Sequence, residues 1–217
     1  MRLGQTIPNF DAKTTTGSID FHAFIEGSWC VLFSHPKDFT PVCTTELGAM
    51  AHLIPEFEKR GVKVIGLGVD SVQDHVDWSK DIAETQGAAP SYPIIADTDL
   101  KISKLLDMLP EDAGNKSAGR TAMDNQTVRN VFVIGPDKTI KMLAAYPMST
   151  GRSFDELLRV IDSVQLTAHH KVGTPAGWKN GGEVMILPSV SDAEARERFP
   201  DGWRAPKPYM RIVGQPN

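Results

Sequence analysis

Cys43 is the side chain in this sequence best placed to act as a nucleophile. The apolar run Trp29-Cys30-Val31-Leu32-Phe33 reads as a strand, and Ser34-His35-Pro36 ends it. After Cys43 the residues Leu47, Met50, Ala51, Ile54 and Phe57 fall on one face of a helical pattern. Pro41 suits the first helical position, and Thr40 before it is biased toward the extended backbone of an N-cap. Cys43 then becomes the third helical residue. Unpaired backbone N–H groups and the positive end of the helix dipole surround its sulfur and favour the thiolate, the form that attacks. A plain core cysteine is the competing reading, and the proline-capped turn argues against it. Cys30, inside the apolar strand, reads as a small buried hydrophobe.

The spacing Pro36-x-x-x-Thr40-x-x-Cys43 resembles the peroxidatic signature of the peroxiredoxins. The longer run from Phe33-Ser34-His35-Pro36 to Cys43-Thr44-Thr45-Glu46-Leu47 resembles their one-cysteine, AhpC/TSA-type subfamily. Thr174-Pro175-x-x-Trp178-Lys179 resembles the opening of that subfamily's C-terminal subdomain, so the likeness spans about residues 3–213. It implies a thioredoxin-like α/β fold with a C-terminal extension. It also implies three further site residues. Arg129, flanked by Val128 and by Asn130-Val131-Phe132-Val133-Ile134-Gly135-Pro136-Asp137, matches the active-site arginine. Pro36 matches a residue that lines the site and excludes water. His35 sits where the subfamily carries a histidine near the sulfur. Read without the resemblance, Arg129 is a solvated strand-end charge, Pro36 a loop proline and His35 a structural histidine bonded to backbone.

Acidity alone would make a poor peroxidase. Lowering a thiol from about 8.5 to about 6 raises the thiolate fraction at pH 7 from roughly 3% to roughly 90%. A Brønsted slope of about 0.4–0.5 takes back about tenfold through weaker nucleophilicity. The larger task is to stabilise charge moving onto the peroxide oxygens as the O–O bond breaks. The Thr40 hydroxyl, the Val42 and Cys43 amides and the Arg129 guanidinium are the groups available for it.

These residues describe a thiol peroxidase. Cys43 attacks hydrogen peroxide or an alkyl hydroperoxide, releases water or alcohol, and becomes a sulfenic acid. No cysteine follows Cys43, so the reductant is expected to be an external thiol or a reductase protein. No cofactor or metal is called for. A redox sensor or an oligomeric holdase is the alternative. A phospholipase-type hydrolase, which some one-cysteine relatives suggest, would use Ser28, His22 and Asp137. Here Glu26 and Cys30 occupy the glycine positions of the Gly-x-Ser-x-Gly elbow that such chemistry needs. A thioredoxin-type reductase is excluded by the missing Cys-x-x-Cys.

The chain has 217 residues, 41% hydrophobic and 23% charged, with a net charge of −4. This balance gives no reason to expect a nucleic-acid partner or stable membrane insertion. Two cysteines without a framework suit a reducing, cytoplasmic setting.

The elements expected to position the site follow in order. A lead-in with a turn at Thr16-Gly17-Ser18 comes first, then a short helix near Asp20–Ile25 and the core strand. A helix over Thr40–Arg60 follows, which Pro55 should kink near its middle. Next come a strand over Val62–Asp70, a helix over Asp74–Gln86 and a strand over Tyr92–Ala96. A short helix at Ile102–Leu106 leads into a loop over Leu109–Ala122. The strands Val128–Ile134 and Thr139–Tyr146 pair about a Gly-Pro-Asp-Lys turn, and a long helix covers Phe154–Thr167. Residues 1–150 are expected to form the catalytic domain. Residues 151–217 would form a helix and an arm whose exposed Trp178, Trp203 and Tyr209 pack either on a second copy, in a homodimer or higher homo-oligomer, or within the chain.

Overall fold

The computed structural model describes residues 1–216. Two compact units divide the chain, Met1–Phe154 and Asp155–Asn217. The first contains, in order, β1 (Asp11–Thr14), β2 (Gly17–Asp20), α1 (Phe21–Phe24), β3 (Trp29–Ser34), α2 (Pro41–Glu58), β4 (Val62–Gly68), α3 (Val72–Gln86), β5 (Ile94–Ala96), α4 (Lys101–Leu105), β6 (Asn130–Ile134) and β7 (Ile140–Ala145). Its seven strands form one sheet in the order β2-β1-β5-β4-β3-β6-β7.

β3 is the axis of this sheet, parallel to β4 and antiparallel to β6. All six of its residues are buried, which is why it reads as an unbroken apolar run rather than an alternating one. Cys30 and Leu32 enter a core shared with Ile7, Phe21, Ile65, Leu67, Phe132 and Ile134. On the other face the Phe33 ring meets the rings of Tyr92 and Phe154 edge-on, at 5.6 and 5.9 Å. This packing holds the end of β3, and hence the loop leading to Cys43, in a fixed place.

Four local expectations need correction. The lead-in holds two strands that were not expected: β1 and β2 form an antiparallel hairpin about Thr15-Thr16, one residue before the expected turn, at the edge of the sheet. Short half-exposed strands give a weak alternation signal, so the turn was legible and the strands were not. Pro55 lies in the last turn of α2 rather than its middle, and the helix continues past it to Glu58. β4 ends at Gly68, two residues early. α3 starts two residues early, because Ser71 rather than a later residue caps it, with Asp74 closing a capping box.

The second unit begins within α5 (Phe154–His169) and continues through β8 (Val172–Gly173), β9 (Val184–Ile186), α6 (Asp192–Arg198), β10 (Arg204–Lys207) and β11 (Met210–Val213). Its four strands pair in the order β10-β11-β9-β8. It has a small core of its own: Val172, Trp178, Val184, Ile186, Val190, Ala195 and Val213. Trp178, expected at the surface, is 4% exposed, and its indole N–H donates to the Gly182 carbonyl at 3.2 Å. Trp203 packs against the same core, and only Tyr209 of the three aromatics is broadly exposed.

Candidate active site

Three elements converge on Cys43. β3 delivers Ser34 and the loop from His35 to Thr40, α2 presents Cys43 as its third residue, and Arg129 precedes β6. Thr40 has the extended backbone of an N-cap (φ −120°, ψ 144°) with Pro41 at the first helical position. Its side chain makes no capping bond. The Thr40 hydroxyl instead donates to the Lys37 carbonyl at 2.8 Å, which commits its proton and leaves its oxygen as an acceptor. The expectation of Thr40 as a donor is corrected accordingly.

Cys43 is 1% exposed, and Arg129 Nη2 donates to its sulfur at 3.2 Å. Arg129 is itself 1% exposed, so the reading as a solvated strand-end charge is overturned. Its Nη1 bonds Glu46, three positions past Cys43, a residue to which neither the spacing nor the resemblance assigns a role. Arg152 completes the cluster. Its backbone N–H and its Nε both donate to Glu46 Oε1 at 2.8 Å, and its Nη2 donates to Oε2 at 2.8 Å. The Arg152 guanidinium also lies over the Phe33 ring at 5.2 Å. Two buried guanidinium groups and one buried carboxylate leave one positive charge over beside the Cys43 sulfur. The Arg129 Nε is buried with no hydrogen-bond partner in the protein.

A cavity of about 260 Å³ opens at this point, lined by Pro36, Thr40, Val42, Cys43, Arg129 and Met148 among others. Apart from Arg129, Thr40 and one serine, its walls are apolar. Pro36 forms part of that wall. Its carbonyl accepts from Asn125 Nδ2 at 3.1 Å, and Arg120 holds Asn125 through Nε at 2.7 Å. The long loop before β6 is thereby fastened to the loop before α2.

His35 is fully buried but is not among the residues lining that cavity. Its Nε2 bonds Asp38 Oδ1 at 2.6 Å, so its partner is a carboxylate rather than backbone. Asp38 Oδ2 bonds Nδ1 of His75, also fully buried, at 2.6 Å. Burial opposes the charge on Asp38, but the bonds from His35 and His75 outweigh it and hold the carboxyl down at about 2. Gly68 backs onto both imidazoles, and a β-carbon there would come within 2.7 Å of each ring. The three donor atoms lie within 4.8 Å of one another, a spacing that a divalent cation could bridge. Each imidazole nitrogen facing Asp38 is already engaged with it, however, so the group reads as a hydrogen-bonded relay.

Cys30 is buried in β3, and burial pushes its thiol far up, as expected for a core residue. The hydrolase residues do not assemble: Ser28 donates weakly to the Glu26 carbonyl, His22 bonds the Ile7 carbonyl, and Asp137 bonds Thr139 and Lys141. Among the described residues no helix is long and apolar enough to cross a membrane.

Comparison with known proteins agrees with this geometry. Residues 3–143 match the AhpC/TSA family, and residues 163–202 match the C-terminal domain of 1-Cys peroxiredoxin. The chain is 51% identical to Peroxiredoxin-6 of Rattus norvegicus over 99% of its own length and 97% of the relative's. It is 46% identical to the 1-Cys peroxiredoxin of Dictyostelium discoideum, over 100% and 86% of the two chains. The solved yeast mitochondrial 1-Cys peroxiredoxin, whose thiol is resolved via glutathione/thioredoxin systems, superposes with a TM-score of 0.93 at 46% identity over 99% of both chains. With its thioredoxin-like fold, its C-terminal extension and its single cysteine at the start of α2, the chain belongs to the AhpC/TSA family, in the one-cysteine branch of the peroxiredoxins, which are thiol peroxidases.

Proposed function

We propose that Cys43 is the peroxidatic nucleophile and that Arg129, Thr40, Pro36 and His35 serve the same reaction. The observation that carries this reading is the 3.2 Å contact between Arg129 Nη2 and the Cys43 sulfur, beside an unpartnered Arg129 Nε–H at an apolar cavity. The thiolate attacks the terminal oxygen of hydrogen peroxide or an organic hydroperoxide. An S–O bond forms and the O–O bond breaks, leaving Cys43 as sulfenic acid. The bonding pair goes to the leaving oxygen, which takes a proton from solvent and departs as water or alcohol. The free Arg129 Nε–H faces the charge that gathers on the peroxide oxygens, while the Thr40 oxygen accepts a hydrogen bond from the hydroperoxide O–H, whose proton stays on the oxygen transferred to sulfur. Pro36 keeps water from the sulfur.

Cys43 lines the cavity while Cys30 sits in the core, and no disulfide joins them, which favours regeneration by an external thiol or a reductase protein. Residues 1–150 carry the chemistry on this reading, and residues 151–217 form the extension, in a homodimer or higher homo-oligomer. A reducing compartment such as the cytoplasm suits two unpaired cysteines. The test is hydroperoxide consumption with glutathione, thioredoxin and dithiothreitol in parallel. Cys43→Ser should abolish it and Cys30→Ser should leave most of it. The reverse pattern would refute the assignment of the nucleophile.

A further inference from the structure

Asn125 is fully buried, and its amide is oriented by two groups that each allow one role. Arg120 Nε can only donate, so the atom it meets at 2.7 Å is the Asn125 oxygen. The Pro36 carbonyl can only accept, so the atom 3.1 Å from it is the Asn125 nitrogen. The rest of the Arg120 guanidinium is taken up by backbone. Its Nη1 donates to the Ala113 carbonyl at 2.6 Å and its Nη2 to the Asp124 carbonyl at 2.5 Å. The Asn125 main chain is engaged as well. Its N–H donates to the Ala122 carbonyl at 3.2 Å. Its carbonyl accepts from the Val128 N–H at 2.8 Å, closing a turn over 125–128 that ends immediately before Arg129. Pro36, Ala122 and Arg129 all line the cavity at Cys43. Asn125 does not line it, but it is bonded to the first two and sets the turn that delivers the third.

We propose that Asn125 is a positioning residue for the reaction at Cys43: it holds Pro36 in the cavity wall and fixes the turn from which Arg129 reaches the sulfur, with Arg120 orienting its amide. This rests on the peroxidase reading above. Arg129 lies where two constraints meet. The chain after it is fixed by β6, which pairs with β3 from Val131 to Ile134, and by the Asn130 N–H, which donates to Ser34 Oγ at 2.9 Å. The chain before it belongs to residues 106–129, which form no helix or strand. The Asn125 bond ties that long loop to the segment between β3 and α2. A misplacement of about 1 Å can cost on the order of 10²-fold in rate when it moves a group that must meet the reacting atoms. The Arg129 guanidinium must meet the peroxide oxygens while it touches the sulfur, whereas alkylation of the thiolate asks nothing of that geometry. Loosening the Asn125 tie therefore acts on peroxide attack and scarcely on alkylation.

The test is Asn125→Asp, which keeps the size of the side chain and the contact with Arg120 but sets a carboxylate oxygen against the Pro36 carbonyl in place of a donor. Oxidation of Cys43 by hydrogen peroxide in a single turnover, with no reductant added, should slow by about tenfold. Iodoacetamide alkylation of Cys43 should stay within about threefold of wild type, a separation that general loosening of the fold would not give. Arg120→Gln leaves Asn125 in place and removes only what orients its amide, so it should slow the peroxide reaction by about threefold. In an Arg129→Gln background, Asn125→Asp should cost no more than about threefold, because the group it positions is gone. A folded Asn125→Asp protein that reacts with peroxide at the wild-type rate overturns the inference alone. So do equal losses in both reactions, an undiminished effect in the Arg129→Gln background, or failure of both the Asn125 and the Arg120 variants to fold. A wild-type protein whose Cys43 is not oxidised by hydrogen peroxide overturns the inference together with the peroxidase reading beneath it.

Discussion

Replacing Arg129 by glutamine separates two things an arginine can do for a thiolate. At 3.2 Å from the sulfur, a unit charge is worth about 5 kcal/mol at an effective dielectric of about 20. Most of that acts on the resting thiolate and the transition state alike, and so does not raise the rate of the chemical step. What remains is the free Nε–H donor, which meets charge on the peroxide oxygens only as the O–O bond breaks. Removing one such donor typically costs on the order of 10²-fold, about 2.7 kcal/mol. The fold should tolerate the change, because Glu46 keeps three bonds of 2.8 Å from Arg152 and does not become a lone buried charge. Arg129→Gln should therefore slow hydroperoxide consumption by about 10²-fold. Iodoacetamide alkylation, which requires the thiolate but breaks no O–O bond, should fall much less. Arg129→Lys should recover alkylation more fully than peroxidase activity, since a lysine restores charge but not the forked donors. Equal losses in both reactions would refute the argument and show that Arg129 works only by holding the sulfur ionised. No loss in either would remove Arg129 from the site.

Glu46→Gln should destabilise the protein by on the order of 3 kcal/mol in urea unfolding, because it leaves two buried guanidinium groups without a carboxylate between them. Excess hydroperoxide should convert Cys43 to sulfinic and sulfonic acids, read by mass spectrometry of the treated protein. A Cys30–Cys43 disulfide as the main product would contradict the one-cysteine cycle. Asp38 is held at about 2 in the folded protein against about 3.9 unfolded, so its ionisation should stabilise the fold by on the order of 2 kcal/mol above pH 4. Because the folded value is the lower one, that contribution should disappear as pH falls from about 4 to about 2. The stability gap between wild type and Asp38→Asn should narrow over the same range, and a gap that stays constant down to pH 2 would refute it.

What was legible in the sequence was local. Pro41 after Thr40 marks the start of α2, so the place of Cys43 in the first helical turn followed from two residues and the fixed geometry of a helix. The β6–β7 hairpin followed from its turn residues, and the burial of Cys30 from the apolar run around it. Arg129 was singled out by the likeness of its flanking residues rather than by any local signal, and without that likeness it read as a surface charge. The short β1 and β2 escaped because four-residue strands at a sheet edge bury too little to impose a period.

The composition of the site was decided by tertiary structure. Glu46 meets Arg152 across 106 positions, Asp38 meets His75 across 37, and Asn125 reaches the Pro36 carbonyl across 89. No helical or strand periodicity extends over such distances. Those pairs exist because β3 lies between β4 and β6, which brings the ends of all three strands beside the start of α2. The Thr40 side chain teaches the same lesson at short range. Its identity as the cap residue was set by sequence, but the direction of its hydroxyl was set by the Lys37 carbonyl that the folded loop turns toward it. A sequence determines which residues can donate, accept or ionise. The sheet order decides which of them are buried together, and burial is what turns Arg129, Glu46 and Cys43 from separate residues into one site.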